Sequence, residues 1–176
     1  MPEEREKWHN MNVQDILLIY DYNYWANKRI LTASEKVTEK QFLAPAAFPY
    51  GGLRGTLVHI LDAEYGWRMF FQNNDWSAPE LKEAGFPTLA AVRARADQEE
   101  GAMCTYLATL SNKDLAGHRI YKNEKGESRD RILWQCLYHV VNHGTQHRSE
   151  AAALLTDYGS SPGDVDFTYF LALTQK

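Results

Sequence analysis

The chain has 176 residues, of which 44% are apolar and 24% charged, with a formal net charge of −4. Such usage describes one globular domain, residues 1–176, long enough to bury its own core, and excludes a disordered or collagen-like chain. No run approaches the roughly 18 apolar residues of a membrane span, and an acidic chain without a basic block suits neither nucleic acid nor an anionic membrane surface.

The segment Met1 to Met11 is charged and lacks the apolar stretch of a secretory signal. The first helix is predicted from Val13 to Ser34. Val13, Leu17, Tyr20, Tyr24, Asn27 and Leu31 recur at spacings of three and four. Asn12 with Asp15 resembles a capping box with a shorter acid. A loop with Pro45, Pro49, Gly51 and Gly52 follows.

The second helix is predicted from Leu53 to Gln72, with an apolar band at Leu57, Ile60, Leu61, Trp67 and Phe71. After a loop from Asn73 to Pro87, Thr88 caps a third helix reaching about Ser111. Its charged centre, Arg93 to Glu100, reads as a solvated outer face. The run His118 to Lys122 then loses the helical period. Asn123 to Gly126 looks like a hairpin turn, with Gly126 supplying positive φ. Asp130 is read as the cap of a fourth helix ending near Tyr158 and Gly159. The tail, with Phe167, Phe170 and Leu171, forms a last short helix. Together these make an all-α antiparallel four-helix bundle with a small β-hairpin between helices three and four.

Cys104 and Cys136 lie in apolar helical patterns and form no C-x-x-C motif. They read as small buried hydrophobes in a reduced, cytoplasmic compartment.

Three of the six histidines, His139, His143 and His147, fall on one face of the fourth helix, together with Cys136, Val140, Ala151 and Leu154. Several imidazoles directed at a core need partners, and a divalent metal serves them all at once. His139 and His147 stand about 12 Å apart along the axis, at roughly 1.5 Å per residue, too far to share an ion. Either His139 with His143 or His143 with His147 forms the pair. His59, on the inner side of helix two, is the candidate third ligand. Three histidines leave room for water or substrate, as in catalytic zinc sites.

The H-E-x-x-H protease pattern is absent, since Gly144 follows His143 and Val140 follows His139. Asp62 reads either as an acceptor for an imidazole N–H or as a surface aspartate. Gly144 makes space beside an ion or lets helices pack closely. Arg148 holds an anionic substrate or pairs with an acid from another element.

Three stretches resemble the DinB family of DinB/YfiT-like metalloenzymes. They are Tyr22 to Asn27 with Arg29 to Leu31, Thr56 to Glu64 around His59, and His139 to Arg148, reading H-V-V-N-H-G-T-Q-H-R. The ending from Pro162 to Phe167 is similar too. The resemblance implies a four-helix bundle holding a divalent metal, zinc or nickel, through His59, His143 and His147. It makes His139 a packing or supporting residue. It implies a homodimer, and some relatives use a low-molecular-weight thiol. Ser149 and Glu150 depart from the Gly and Gln that many members carry.

The expected function is a metal-dependent enzyme of thiol-transferase or hydrolase type acting on a small molecule. Asn27 and Arg148 are the candidate ligand- or cofactor-contacting residues. The alternative is a non-enzymatic metal-binding stress-response protein with a structural ion. No nucleic-acid or membrane partner is expected.

Overall fold

A computed structural model describes residues 11–122 and 125–174. Residues 1–10, including most of the charged N-terminal segment read above, and turn residues 123 and 124 lie outside the described residues. Seven α-helices, a short 3-10 turn (Glu83–Gly85) and one two-stranded hairpin are found among the described residues. The helices and strands are α1 (Val13–Ser34), α2 (Glu39–Phe42), α3 (Leu53–Asn73), α4 (Leu89–Leu107), α5 (Asn112–Leu115), β1 (His118–Lys122), β2 (Ser128–Ile132), α6 (Leu133–Asp157) and α7 (Phe167–Thr174).

The ends follow local chemistry. Asn12 accepts from the backbone N–H groups of Gln14 and Asp15, while Asp15 returns a bond to the Asn12 N–H, completing a capping box on α1. Thr88 caps α4 in the predicted way. α3 ends at Asn74, whose φ of 59° reverses the chain. The proline- and glycine-bearing loop contains an unpredicted turn of helix, α2, held by a box between Thr38 and Gln41.

Three readings need correction. The third helix stops at Leu107 rather than Ser111, because Ser111 itself caps α5 through Asp114. Asp130 belongs to β2, where it pairs with Ile120 in an antiparallel register and its carboxylate meets the His118 ring at 2.7 Å. The fourth helix therefore begins only at Leu133. Arg93 to Glu100 is not a uniformly solvated face. Glu99 is buried and receives bonds from both Arg68 and Arg95.

The long helices pack in neighbouring pairs: α3 against α6 and α4, and α1 against α6 and α4. Apolar side chains form two clusters. One, with Ile16, Tyr20, Phe70, Met103, Leu107 and Leu137, lies toward the hairpin. The other gathers Ile30, Leu57, Val92, Leu154 and their neighbours. Each long helix also contributes buried polar residues: Asn23 from α1, Glu64 and Arg68 from α3, Glu99 from α4, and His147 and Arg148 from α6. Polar groups taken from water at this depth must satisfy one another.

The loop before α3 is clamped to it at Gly55, where an added Cβ would stand 2.0 Å from the Tyr50 carbonyl oxygen. This close approach fixes Tyr50 at the head of α3. Gly55→Ala should therefore cost about 1–3 kcal/mol in denaturant unfolding, despite the better helix propensity of alanine. At Gly66, the nearest atom to an added Cβ is a Trp76 ring carbon at 3.9 Å. Gly66→Ala should accordingly be neutral or stabilising by up to about 1 kcal/mol.

Candidate metal centre

The α3–α6 seam brings together three histidines that are distant in sequence. On α3, Leu57, Val58, Ile60 and Leu61 are buried, and His59 is left half-buried among them. On α6, Val140, Val141, Gly144 and Ala151 are buried, with His143 and His147 one turn apart on the same helix. The ring centroids of His59, His143 and His147 lie 4.8, 4.6 and 4.5 Å from one another. One ring nitrogen from each falls within 4.8 Å of the others. His59 Nε2 and His143 Nε2 face each other at 3.0 Å.

Burial is the main cause that lowers His59 and His143, each to about 4, and the neighbouring rings add to it. Both imidazoles are therefore neutral near pH 7, the state in which a ring nitrogen binds a metal. Two nitrogens on one tetrahedral zinc, each about 2.0–2.1 Å away, stand about 3.3 Å apart. The His59–His143 separation is close to that. A cluster of three imidazoles, with His59 and His143 neutral, could hold a divalent metal ion.

Two residues of this site escaped the sequence reading. Glu150 sits with Oε2 2.8 Å from His147 Nδ1. The carboxylate holds the proton on Nδ1 and leaves Nε2 as the donor, the arrangement by which outer partners orient metal-binding histidines. The spacing of three from His147 to Glu150 on α6 is the signal available in the sequence. Tyr50 stacks on His59 with centroids 3.3 Å apart and planes 10° apart, and meets His147 edge-on at 5.1 Å. No periodicity marks a loop residue of this kind. Tyr50 is 42% exposed, so it covers the site from the solvent side.

The other candidates are placed elsewhere. His139 is exposed rather than directed into the core, with its ring against Trp67 at 5.3 Å. Cys136 is buried but Cys104 is exposed, correcting the reading of both as buried, and the two are unpaired. Asp62 neither contacts an imidazole nor stands free. It accepts from the Leu81 N–H at 2.6 Å and ties down the loop ahead of α4.

Arg148 has 1% of its surface exposed, and among the described residues no acid pairs with it directly. Its guanidinium donates to Asn23 Oδ1, to Asn27 Oδ1 at 2.9 Å, to Thr145 Oγ1 at 2.7 Å and to the Val141 carbonyl. Gly144 gives this group its space, because a Cβ there would lie 2.8 Å from Arg148 Nη1 and 3.2 Å from Asn23 Oδ1. Asn23 Nδ2 donates onward to Glu64 at 3.3 Å, and Tyr24 Oη donates to the same carboxyl at 2.7 Å. Burial pushes Glu64 up to about 7, against those two donors.

The DinB family model matches residues 10–176. Among curated proteins, Protein DinB of Bacillus subtilis (strain 168) is 25% identical over 166 residues, covering 90% of this chain and 95% of its own.

Removing the Glu150 carboxylate by Glu150→Ala should weaken divalent-metal affinity by roughly 10–100-fold, read by competition with a chromophoric chelator. A second expectation concerns the metal-free protein. With folded values near 4 and an ordinary value near 6.5, the unfolded chain binds more protons than the folded one between those limits. The contribution of His59 and His143 is thus complete above pH 6.5 and is lost as pH falls toward 4. Chelator-treated protein should melt lower at pH 5 than at pH 7, and His143→Gln should narrow that difference.

Proposed function

The chain belongs to the DinB family, and on that premise we propose that it is a divalent-metal-dependent enzyme of thiol-transferase or hydrolase type, acting on a small molecule. The observation that carries the reading is the convergence of His59, His143 and His147, whose donor atoms lie within 4.8 Å of one another. Three protein ligands are one fewer than normally close a structural zinc site, and they leave positions for reactants.

His59, His143 and His147 would hold the ion, zinc or nickel. Such an ion acidifies a water or a thiol placed beside it, supplying a nucleophile at neutral pH. The protein's own groups do the positioning. Glu150 fixes the His147 tautomer through Nδ1. Tyr50 braces the His59 ring and narrows the approach from solvent. A low-molecular-weight thiol is the co-reactant of the transferase form of this reading, and its sulfur would be the attacking atom.

The mutual packing of α1, α3, α4 and α6 supports an antiparallel four-helix bundle forming one domain, and the family resemblance supports a homodimer. No described helix is long and apolar enough to cross a membrane. The unpaired Cys104 and Cys136 suit a cytoplasmic setting.

The test is turnover by zinc- or nickel-loaded protein against a panel of thiols with electrophilic substrates and of activated esters. Metal-dependent turnover that disappears in His143→Ala is expected. No turnover with any pair, from protein that retains its ion, would instead favour a non-enzymatic role for the metal.

A further inference from the structure

A cleft of about 320 Å³ lies between the C-terminal half of α1 and the tail at Ser161 and Pro162. None of the clustered histidines lines it. Its charged lining is wholly basic: Lys28, Arg29 and Lys36 border it, and no carboxylate does. The chain as a whole has a net charge of −4, so the cleft is a local excess against the general balance.

Arg29 is held in place without a counter-charge. Its guanidinium lies over the Trp25 ring at 5.1 Å and the Tyr169 ring at 5.9 Å, and Nη2 donates to the Pro162 carbonyl at 2.9 Å. Gly163, at φ 72°, permits this approach, since an added Cβ would stand 2.8 Å from Nη2. Nη1 meets no acceptor among the described residues, and Nε is buried without one. A guanidinium pinned by rings and a carbonyl keeps its charge and its orientation before any ligand arrives.

The neighbouring acids are taken up elsewhere. Glu100 pairs with Lys28 at 2.7 Å, and Glu35 pairs with Arg93 at 2.7 Å. Asp164, close in sequence, is outside the lining and accepts from the Asp166 N–H. Among the described residues neither Arg29 nor Lys36 has an ion-pair partner, so the uncompensated charge is theirs. The carbonyls that end α1, those of Thr32, Ala33 and Ser34, already accept from Glu35, Lys36 and Val37, which limits their repulsion of an anion. Hydroxyls add donors. Thr32 Oγ1 makes no bond among the described residues, and Ser161 Oγ accepts from the Gly163 N–H, which leaves its own O–H free to donate.

Cations and hydroxyls without a carboxylate suit a group with several anionic oxygens. A phosphate monoester, with three terminal oxygens and about −1.5 to −2 charge at pH 7, engages more of these donors than a carboxylate does. We propose that this cleft binds the phosphate group of a small soluble monoester, through Arg29 and Lys36 with Thr32 and Ser161 beside them. The site does not depend on the reading given to the metal centre.

NMR titration of the amide and indole N–H signals of the full chain tests it, with phenyl phosphate, benzoate and benzylammonium at matched ionic strength. Because phosphate also binds metal ions, zinc-loaded and chelator-treated protein are both titrated. Saturable shifts of the Trp25 indole and of the Ser161 and Gly163 amides are expected with phenyl phosphate in both states. Benzoate should bind about tenfold more weakly, and benzylammonium should not shift these signals. Lys36→Glu, at an exposed position, should weaken phenyl phosphate about tenfold. Lys113→Glu makes the same charge change at the other end of α1, where Asn112 meets Val13, and should leave the affinity unchanged. Vesicles containing phosphatidic acid should leave the protein in solution. The proposal is overturned if phenyl phosphate does not saturate these signals, if benzoate or benzylammonium binds as tightly, if the two lysine variants behave alike, or if the protein sediments with the vesicles.

Discussion

A guanidinium with almost no exposed surface has to satisfy its N–H groups inside the protein, and Arg148 organises the centre of this molecule by doing so. Its acceptors are amides, a hydroxyl and a backbone carbonyl rather than a carboxylate. They come from α1 and from α6 itself, so the two helices are fixed in one register. Asn23 continues the chain to Glu64 on α3, where Tyr24 adds a second link from α1. Gly144 is required because any side chain there would occupy the space of the guanidinium. Buried polar networks of this kind contribute chiefly when every member is satisfied.

The histidine cluster depends on the same register. His147 precedes Arg148, so locking Arg148 also sets the direction in which His147 leaves the helix. His143 stands one turn earlier, and α3 presents His59 across the seam. Three rings crowded together gain little from one another without an ion. Burial and the neighbouring rings resist protonation of His59 and His143, which leaves their ring nitrogens available to a metal. Glu150 and Tyr50 restrict two of the three rings before any ligand arrives, one by a hydrogen bond and one by stacking. Such preorganisation lowers the cost of binding.

Much of this was legible in the sequence because helices report themselves through period and caps. Asn12 with Asp15, Thr88, and the histidines four apart all express local geometry, and the structure carries each of them. Gly126 likewise has the positive φ expected of its turn. What escaped depends on tertiary partners. Asp130 is a good capping residue, yet strand pairing with Ile120 claimed it. Glu99 sat in a charged run, and only Arg68 on another helix makes its burial tolerable. Cys104 and His139 share the helical period of buried neighbours but lie at the edges of their faces, where period alone does not fix exposure. The two amide acceptors of Arg148 lie more than a hundred residues away on α1, and amides do not announce themselves as partners for a cation.

The central claim is that His59, His143 and His147 form one divalent-metal site. The most direct measurement is metal content by mass spectrometry on tag-free protein equilibrated with zinc or nickel, for the unmutated chain and for each single histidine-to-alanine variant. The account predicts about one ion per chain, lost on replacing any of the three and retained in His139→Ala. Protein that folds and takes up no ion, or an ion unaffected by these substitutions, would contradict it.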